Sequence, residues 1–138
     1  MHSLTPLLIV LALASAYGVW YRGSRGKIKS PINKAPEPVL TEAELGASYG
    51  SRVTLVQFSS AFCTPCRATK VLLGLIAEES VDISYVEIDA ESHLDLVRRL
   101  HIHSTPTTLI LDRSGVEIAR AVGAPKRSEV LAAVNQIR

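Results

Sequence analysis

The sequence predicts one α/β domain carried behind an N-terminal apolar helix. Two observations lead there. From residue 40 onward, β-branched and aromatic runs alternate with stretches of helical apolar spacing in the order βαβαββα, and near the N-terminus 18 consecutive residues carry no charge. With 138 residues, 47% hydrophobic and 20% charged, the chain has room for one ordinary domain and a short appendage, which excludes a second domain or a disordered chain. The charges are uneven. Before Glu37 there is no acid but five basic residues, Arg22, Arg25, Lys27, Lys29 and Lys34; residues 37 onward hold 10 basic and 13 acidic groups, a net of −3. A mildly acidic folded part argues against nucleic-acid binding.

Taking the elements in order, Leu4 to Tyr21 (LTPLLIVLALASAYGVWY) would make about 27 Å of helix, close to the thickness of a bilayer's hydrocarbon core. Tyr17, Trp20 and Tyr21 collect at its C-terminal end, where amphipathic rings prefer the headgroup level, and Arg22 follows at once. We therefore expect a single-pass transmembrane anchor over residues 1–21. The competing reading is a signal sequence. Ala14-Ser15-Ala16 resembles an A-x-A cleavage site, but no Lys or Arg precedes the apolar run. All nearby basic residues lie C-terminal to the helix, so the positive-inside rule places the domain in the cytoplasm at the cell membrane, with an extracytoplasmic domain as the alternative. Residues 22–37, rich in Gly, Ser, Pro and Lys, read as a basic flexible linker that either rests on anionic lipid or is simply solvated. The folded domain is expected over 38–138.

Thr41-Glu42-Ala43-Glu44 is a capping-box pattern for a short helix. Arg52–Phe58 reads as a strand buried on most of its surface, and after Cys63-Thr64-Pro65-Cys66 the residues Val71, Leu72, Leu75 and Ile76 mark a helix up to Glu79. Val81–Ile88 is again strand-like, and His93–Leu100 carries a helical apolar set. Thr107–Leu111 and Val116–Val122 form a hairpin about Asp112-Arg113-Ser114-Gly115, and Ser128–Ile137 closes the domain as an amphipathic helix.

Two cysteines are too few for a disulfide-stapled scaffold or for a self-contained four-ligand zinc site, although a set of two cysteines and two histidines is conceivable. A Cys-x-x-Cys alone is weak evidence. In its place between strand and helix, with Val56-Gln57-Phe58 before it, Ile88-Asp89 ending the next strand, Ser104-Thr105-Pro106-Thr107 opening the hairpin and Val122-Gly123-Ala124 before the last helix, it resembles the thioredoxin family over roughly residues 38–138.

The resemblance implies a thioredoxin-like fold, a central mixed sheet flanked by helices, and a redox-active Cys63/Cys66 pair. A thiolate at a helix N-terminus is stabilised by unpaired backbone N–H groups and the helix dipole, so Cys63 would be the nucleophile. One turn on, Cys66 would resolve the mixed disulfide, and Pro65 would stiffen the pair without losing a needed N–H. Thr105-Pro106 resembles the family's cis-proline segment, beside which a substrate strand pairs with the exposed backbone; an ordinary trans proline is the plainer alternative. Gly123 resembles the glycine that keeps the substrate groove open, or serves only as a turn. Phe62 and Thr64, flanking Cys63, stand where the family usually has tryptophan and glycine, and complete the expected substrate-binding set of Phe62, Thr64, Pro65, Thr105, Pro106 and Gly123.

There are two further departures. Gln57 replaces a buried aspartate that assists proton transfer to the second cysteine, and an amide cannot act as a general base. The lysine that commonly faces that aspartate aligns with Tyr85. The expected function is protein-disulfide reduction by a membrane-tethered monomer supplied by an upstream electron donor. A slow redox-sensitive binding module, or thiol–disulfide exchange for exported proteins, is the alternative. No cofactor, metal or nucleic acid is expected. His93, His101 and His103 read as surface or capping residues.

Overall fold

The computed structural model describes residues 4–24, 26–29 and 37–138. The apolar run forms a helix, α1 (Leu4–Ser24), of 21 residues and about 31 Å, none of them buried. It is long and apolar enough to cross a membrane by length and composition, and it meets the same test as a signal sequence. Pro6 sits in its first turn, where a backbone N–H has no helical partner to lose.

The expected linker is not wholly unstructured. Gly26 N–H donates to Val122 O (2.7 Å), and β1 (Ile28–Lys29) pairs antiparallel with the last strand, Ile28 opposite Ala121 and Lys29 opposite Arg120. The reading of 22–37 as a free tether is corrected over 26–29; Arg25 and residues 30–36 lie outside the described residues.

The remaining elements follow the sequence closely. Helix α2 (Glu42–Leu45) has the expected capping box, with Thr41 and Glu44 exchanging side-chain and backbone bonds, and ends on Gly46 at φ 68°. Strand β2 (Val53–Ser59) is buried throughout, then come α3 (Thr64–Glu78), β3 (Ile83–Asp89) and α4 (Leu94–Arg99). Strands β4 (Thr107–Asp112) and β5 (Glu117–Val122) form the hairpin, and α5 (Arg127–Asn135) closes the chain. Gly115 in the hairpin turn adopts φ 79°, and a Cβ there would meet the Tyr49 ring and, at 3.0 Å, the Leu40 carbonyl oxygen.

The sheet order is β1-β5-β4-β2-β3, with β2 and β3 parallel and the other neighbours antiparallel. Side chains alternate along β2, so its two faces feed two cores. Val56 and Phe58 pack with Leu45, Leu96, Leu100 and Ile102 on the side of α2 and α4; Val53 and Leu55 pack with Leu73, Ile76, Val130 and Val134 on the side of α3 and α5. Coverage on both faces explains why β2 reads as a continuous apolar run. The exception is Gln57, fully buried on the α3 side of the strand.

This topology gathers four strand ends at one pole of the sheet. Phe58 lies opposite both Ile88 and Thr107, and Thr107 opposite Val122, so β2 and β3 end there, β4 begins there and β5 returns there.

Candidate functional site

At that pole β2 runs into α3 through Ser60-Ala61-Phe62. Cys63 is the N-cap of α3, with extended backbone, and Pro65 occupies the second helical position. The sulfur of Cys63 accepts the backbone N–H of Cys66 (3.2 Å), in the role an N-cap oxygen plays elsewhere. The two cysteines form a disulfide with Cα atoms 5.2 Å apart. Cys63 is partly exposed and Cys66 is buried, so only the first sulfur faces an incoming molecule. Thr69 Oγ1 donates to Pro65 O, tying the first turn of α3 to itself.

The residues expected to bind substrate lie at the same pole of the sheet as Cys63. Phe62 is 97% exposed, and Thr64 and Pro65 are exposed beside it. The Thr105–Pro106 bond is cis, and Thr105 Oγ1 lies 3.0 Å from Ser60 Oγ, which links the hairpin's entry to the segment before the cysteines. Gly123 N–H donates to Pro106 O (2.8 Å) with Gly123 at φ 91°, in the left-handed region that favours glycine. The structure therefore brings Phe62, Cys63, Thr64, Pro65, Cys66, Thr105, Pro106 and Gly123 to one end of the sheet. Ser60 was not singled out from the sequence. Its partner is 45 residues away, and nothing local marks the pairing.

Behind Cys66 the polar arrangement departs from the family pattern at the two positions read from the sequence, Gln57 and Tyr85. Gln57 Nε2 donates to Cys66 O (2.8 Å), and Tyr85 Oη–H donates to Gln57 Oε1 (2.7 Å), a neutral pair in place of an acid and a lysine. Burial and, less strongly, the Glu87 charge raise the Tyr85 phenol well above its ordinary range, so it remains a hydrogen-bond donor. The residue in register with Gln57 is Glu87, two positions beyond Tyr85. Lys70 of α3 forms an ion pair with Glu87 (2.6 Å), and Ser59 Oγ donates to its other oxygen (2.8 Å). Chiefly through Lys70, these partners hold the Glu87 carboxyl below its ordinary value despite partial desolvation.

A recess of about 330 Å³ opens between these groups, lined by Ser59, Cys63, Cys66, Lys70 and Glu87 among others. A second, about 270 Å³, lies on the other side between α4 and the Thr105 segment, lined by Leu94, Ile102, His103 and Thr105. A larger recess, about 570 Å³ beside Thr41, Glu44 and Arg99, contains neither cysteine. His93 is the N-cap of α4 without a side-chain cap bond, its Nδ1 3.0 Å from Asp89 O. Among the described residues no group of three His, Cys, Asp or Glu side chains is placed to hold a metal ion.

The comparisons agree with this geometry. A thioredoxin family profile matches residues 41–136. Thioredoxin H2 of Arabidopsis thaliana is 28% identical over 88 residues, 64% of this chain and 65% of that protein, so the chain spans just under two thirds of that relative's length. Thioredoxin of Mycoplasma genitalium is 30% identical over 77 residues, 56% of this chain and 74% of that protein. The crystal structure of thioredoxin NaTrxh from Nicotiana alata superposes with a TM-score of 0.60 over 78% of this chain and 99% of that one; at 22% identity the likeness is one of fold. Chlamydomonas reinhardtii thioredoxin f2 gives a TM-score of 0.56 at 25% identity, over 67% of this chain and 83% of its own. Fold, cysteine pair, cis-proline segment and family profile converge, and the chain belongs to the thioredoxin family.

Proposed function

We propose that the protein is a thiol–disulfide oxidoreductase tethered to the cell membrane by α1, which reduces protein disulfides through Cys63 and Cys66. The observation that carries this reading is the position of Cys63: partly exposed at the N-cap of α3, with the Cys66 N–H directed at its sulfur. Backbone donors at a helix N-terminus favour thiolate over thiol, and the thiolate is the attacking species.

In the reduced protein, Cys63 Sγ attacks one sulfur of a substrate disulfide. A mixed disulfide forms, and the other substrate sulfur leaves as a thiolate that takes up a proton. Cys66, losing its proton, then attacks Cys63 Sγ, which closes the Cys63–Cys66 disulfide and frees the second substrate thiol. Two electrons have passed to the substrate, and an upstream dithiol donor restores the pair. Thr105, Pro106 and Gly123 dock the substrate chain as an added strand, while Phe62, Thr64 and Pro65 border the attacked sulfur.

The buried neutral Gln57–Tyr85 pair supports a second reading, slow exchange in a redox-sensitive binding module, because the side chain bonded to the Cys66 carbonyl is an amide, which cannot accept a proton as a general base. Turnover with insulin as substrate and a soluble dithiol as reductant separates the two. A catalyst loses activity on Cys63→Ser, and its Cys66→Ser variant accumulates a mixed disulfide; a purified chain whose Cys63→Ser variant retains full activity refutes the oxidoreductase. The basic residues after α1 support a cytoplasmic domain. A C-terminal tag protected from protease in intact spheroplasts and cleaved after permeabilisation is the expected result, and cleavage in intact spheroplasts refutes that orientation.

A further inference from the structure

We infer that the cysteine pair works at the membrane surface, on disulfides that membrane-bound proteins carry close to the bilayer. This rests on α1 as the membrane anchor and on Cys63/Cys66 as the redox pair. The argument is topological. Strand β1 runs antiparallel to β5, with Ile28 opposite Ala121 and Lys29 opposite Arg120, so the chain enters the sheet beside the end of β5 and leaves toward its beginning. The end of β5 is the pole of the cysteines: Gly26 bonds to Val122 O, the neighbouring Gly123 bonds to Pro106 O, and Thr105 Oγ1 lies against Ser60 Oγ. The membrane helix therefore joins the domain at its active end.

The connection is too short to undo that placement. Helix α1 ends at Ser24, and only Arg25 separates it from Gly26, so the two Cα atoms are at most about 7 Å apart. Ser24 lies three residues beyond Tyr21, or about 4.5 Å along the axis, which with the aromatic rings at the interface puts it within a headgroup layer about 5–7 Å deep. Gly26 is anchored rather than trailing. It is buried at φ 83°, and a Cβ on it would run into the Ala124 carbonyl oxygen. Lys27 and Lys29 follow, suited to anionic headgroups. The exposed apolar side chains Phe62 (97%), Leu94 (52%) and Val122 (42%) lie around the same pole. Val81, equally exposed, sits before β3 at the opposite pole, next to the Val53–Ile83 pairing.

The test uses the full chain in liposomes of zwitterionic and anionic lipid, with Trp20→Phe removing the one native tryptophan. Phe62→Trp and Val81→Trp each add a single reporter at a fully exposed position, one per pole, and a headgroup spin-labelled lipid quenches each in turn. We expect several-fold stronger quenching for Phe62→Trp. In parallel, the unsubstituted chain with a soluble dithiol reduces disulfide peptides attached to a lipid anchor, the disulfide either two residues from the anchor or lifted about 40 Å by a polyproline spacer. We expect the rate to fall several-fold with height. Equal quenching at the two poles, or rates that do not fall, overturns the inference. If such a chain still pellets with the vesicles and reduces a soluble disulfide, the oxidoreductase and its anchor stand while the inference fails. A chain that does not pellet removes the anchor, and one that pellets but reduces nothing removes the oxidoreductase; either takes the inference with it.

Discussion

Removing the Gln57 side-chain amide tests whether the neutral pair behind Cys66 is a built feature of the site. Gln57 is fully buried and makes two side-chain hydrogen bonds, donating to Cys66 O and accepting from Tyr85 Oη–H. In Gln57→Leu both are lost. The Cys66 carbonyl lies in α3, where it also serves as a helical acceptor, so the larger penalty falls on the Tyr85 hydroxyl, half-buried and left without its acceptor. Orphaning a buried polar group costs about 1–3 kcal/mol, and a net hydrogen bond adds about 1 kcal/mol, so we expect a loss of about 2–3 kcal/mol. Tyr85→Phe strands Gln57 Oε1 instead and costs about 1–2 kcal/mol. The double variant leaves neither partner stranded, so the cycle should show a coupling of about 1–2 kcal/mol, well outside the scatter of independent sites. Urea titrations of the oxidised full-length chain in a mild detergent give the four stabilities, provided the slopes agree. Additivity within about 0.5 kcal/mol refutes the pair.

The remaining predictions concern the surroundings of the site. Thr108 Oγ1, opposite Gln57 on β4, is buried without a hydrogen-bond partner among the described residues, so Thr108→Val should be neutral or up to about 1 kcal/mol stabilising; a larger loss shows a partner was missed. Gly26→Ala should open the β1–β5 pairing, because Gly26 needs both a positive φ and the space beside Ala124. Several-fold faster tryptic cleavage at Lys27 and Lys29 is the readout, and unchanged protection contradicts the structure. The folded value of Glu87 lies below its ordinary 4.5, so the stability it supplies is complete above about pH 4.5 and lost as pH falls through the depressed value. Relative to Glu87→Gln, the native chain should therefore hold its advantage at pH 7 and surrender it by pH 3; a constant difference across that range excludes the Lys70 and Ser59 contacts as its source.

What could be read in the sequence divides along a physical line. The long elements were legible because each carries its own periodicity: β2 reads as a buried run because helices cover both its faces, and α3 was legible as a helix, although of the residues that marked it Ile76 is buried while Val71 and Leu75 are exposed, and the buried face includes Leu73 instead. Cys63 and Cys66 were legible because strand, N-cap and helix are contiguous. The departures came from pairings that no local pattern encodes. Two residues, Ile28 and Lys29, have no measurable periodicity, and their pairing is dictated by the open edge of β5. Tyr85, matched to the position of a lysine that faces the buried acid, does face Gln57, but the hydrogen bond between the two is not marked by any local pattern. The Lys70–Glu87 pair bridges α3 and β3, and Tyr85 reaches Gln57 from two residues away along the neighbouring strand. Such contacts depend on sheet register and helix placement together.

Register also ties the N-terminal apolar helix to the cysteine pair. In a parallel pair such as β2 and β3, both C-terminal ends lie at one pole, and the antiparallel β4 and β5 bring Thr107 and Val122 back to it. That arrangement sets the cysteines beside the Thr105-Pro106 segment in any domain so ordered. What is particular to this chain is the added edge strand β1, whose direction decides at which pole the N-terminal helix arrives. A parallel β1 would have brought α1 to the Val53–Ile83 end and pointed Cys63 away from the helix by the length of the sheet, about 20 Å for strands of six or seven residues. The antiparallel pairing of two residues does the reverse, and the buried Gly26, too tightly held to carry a side chain, keeps it there.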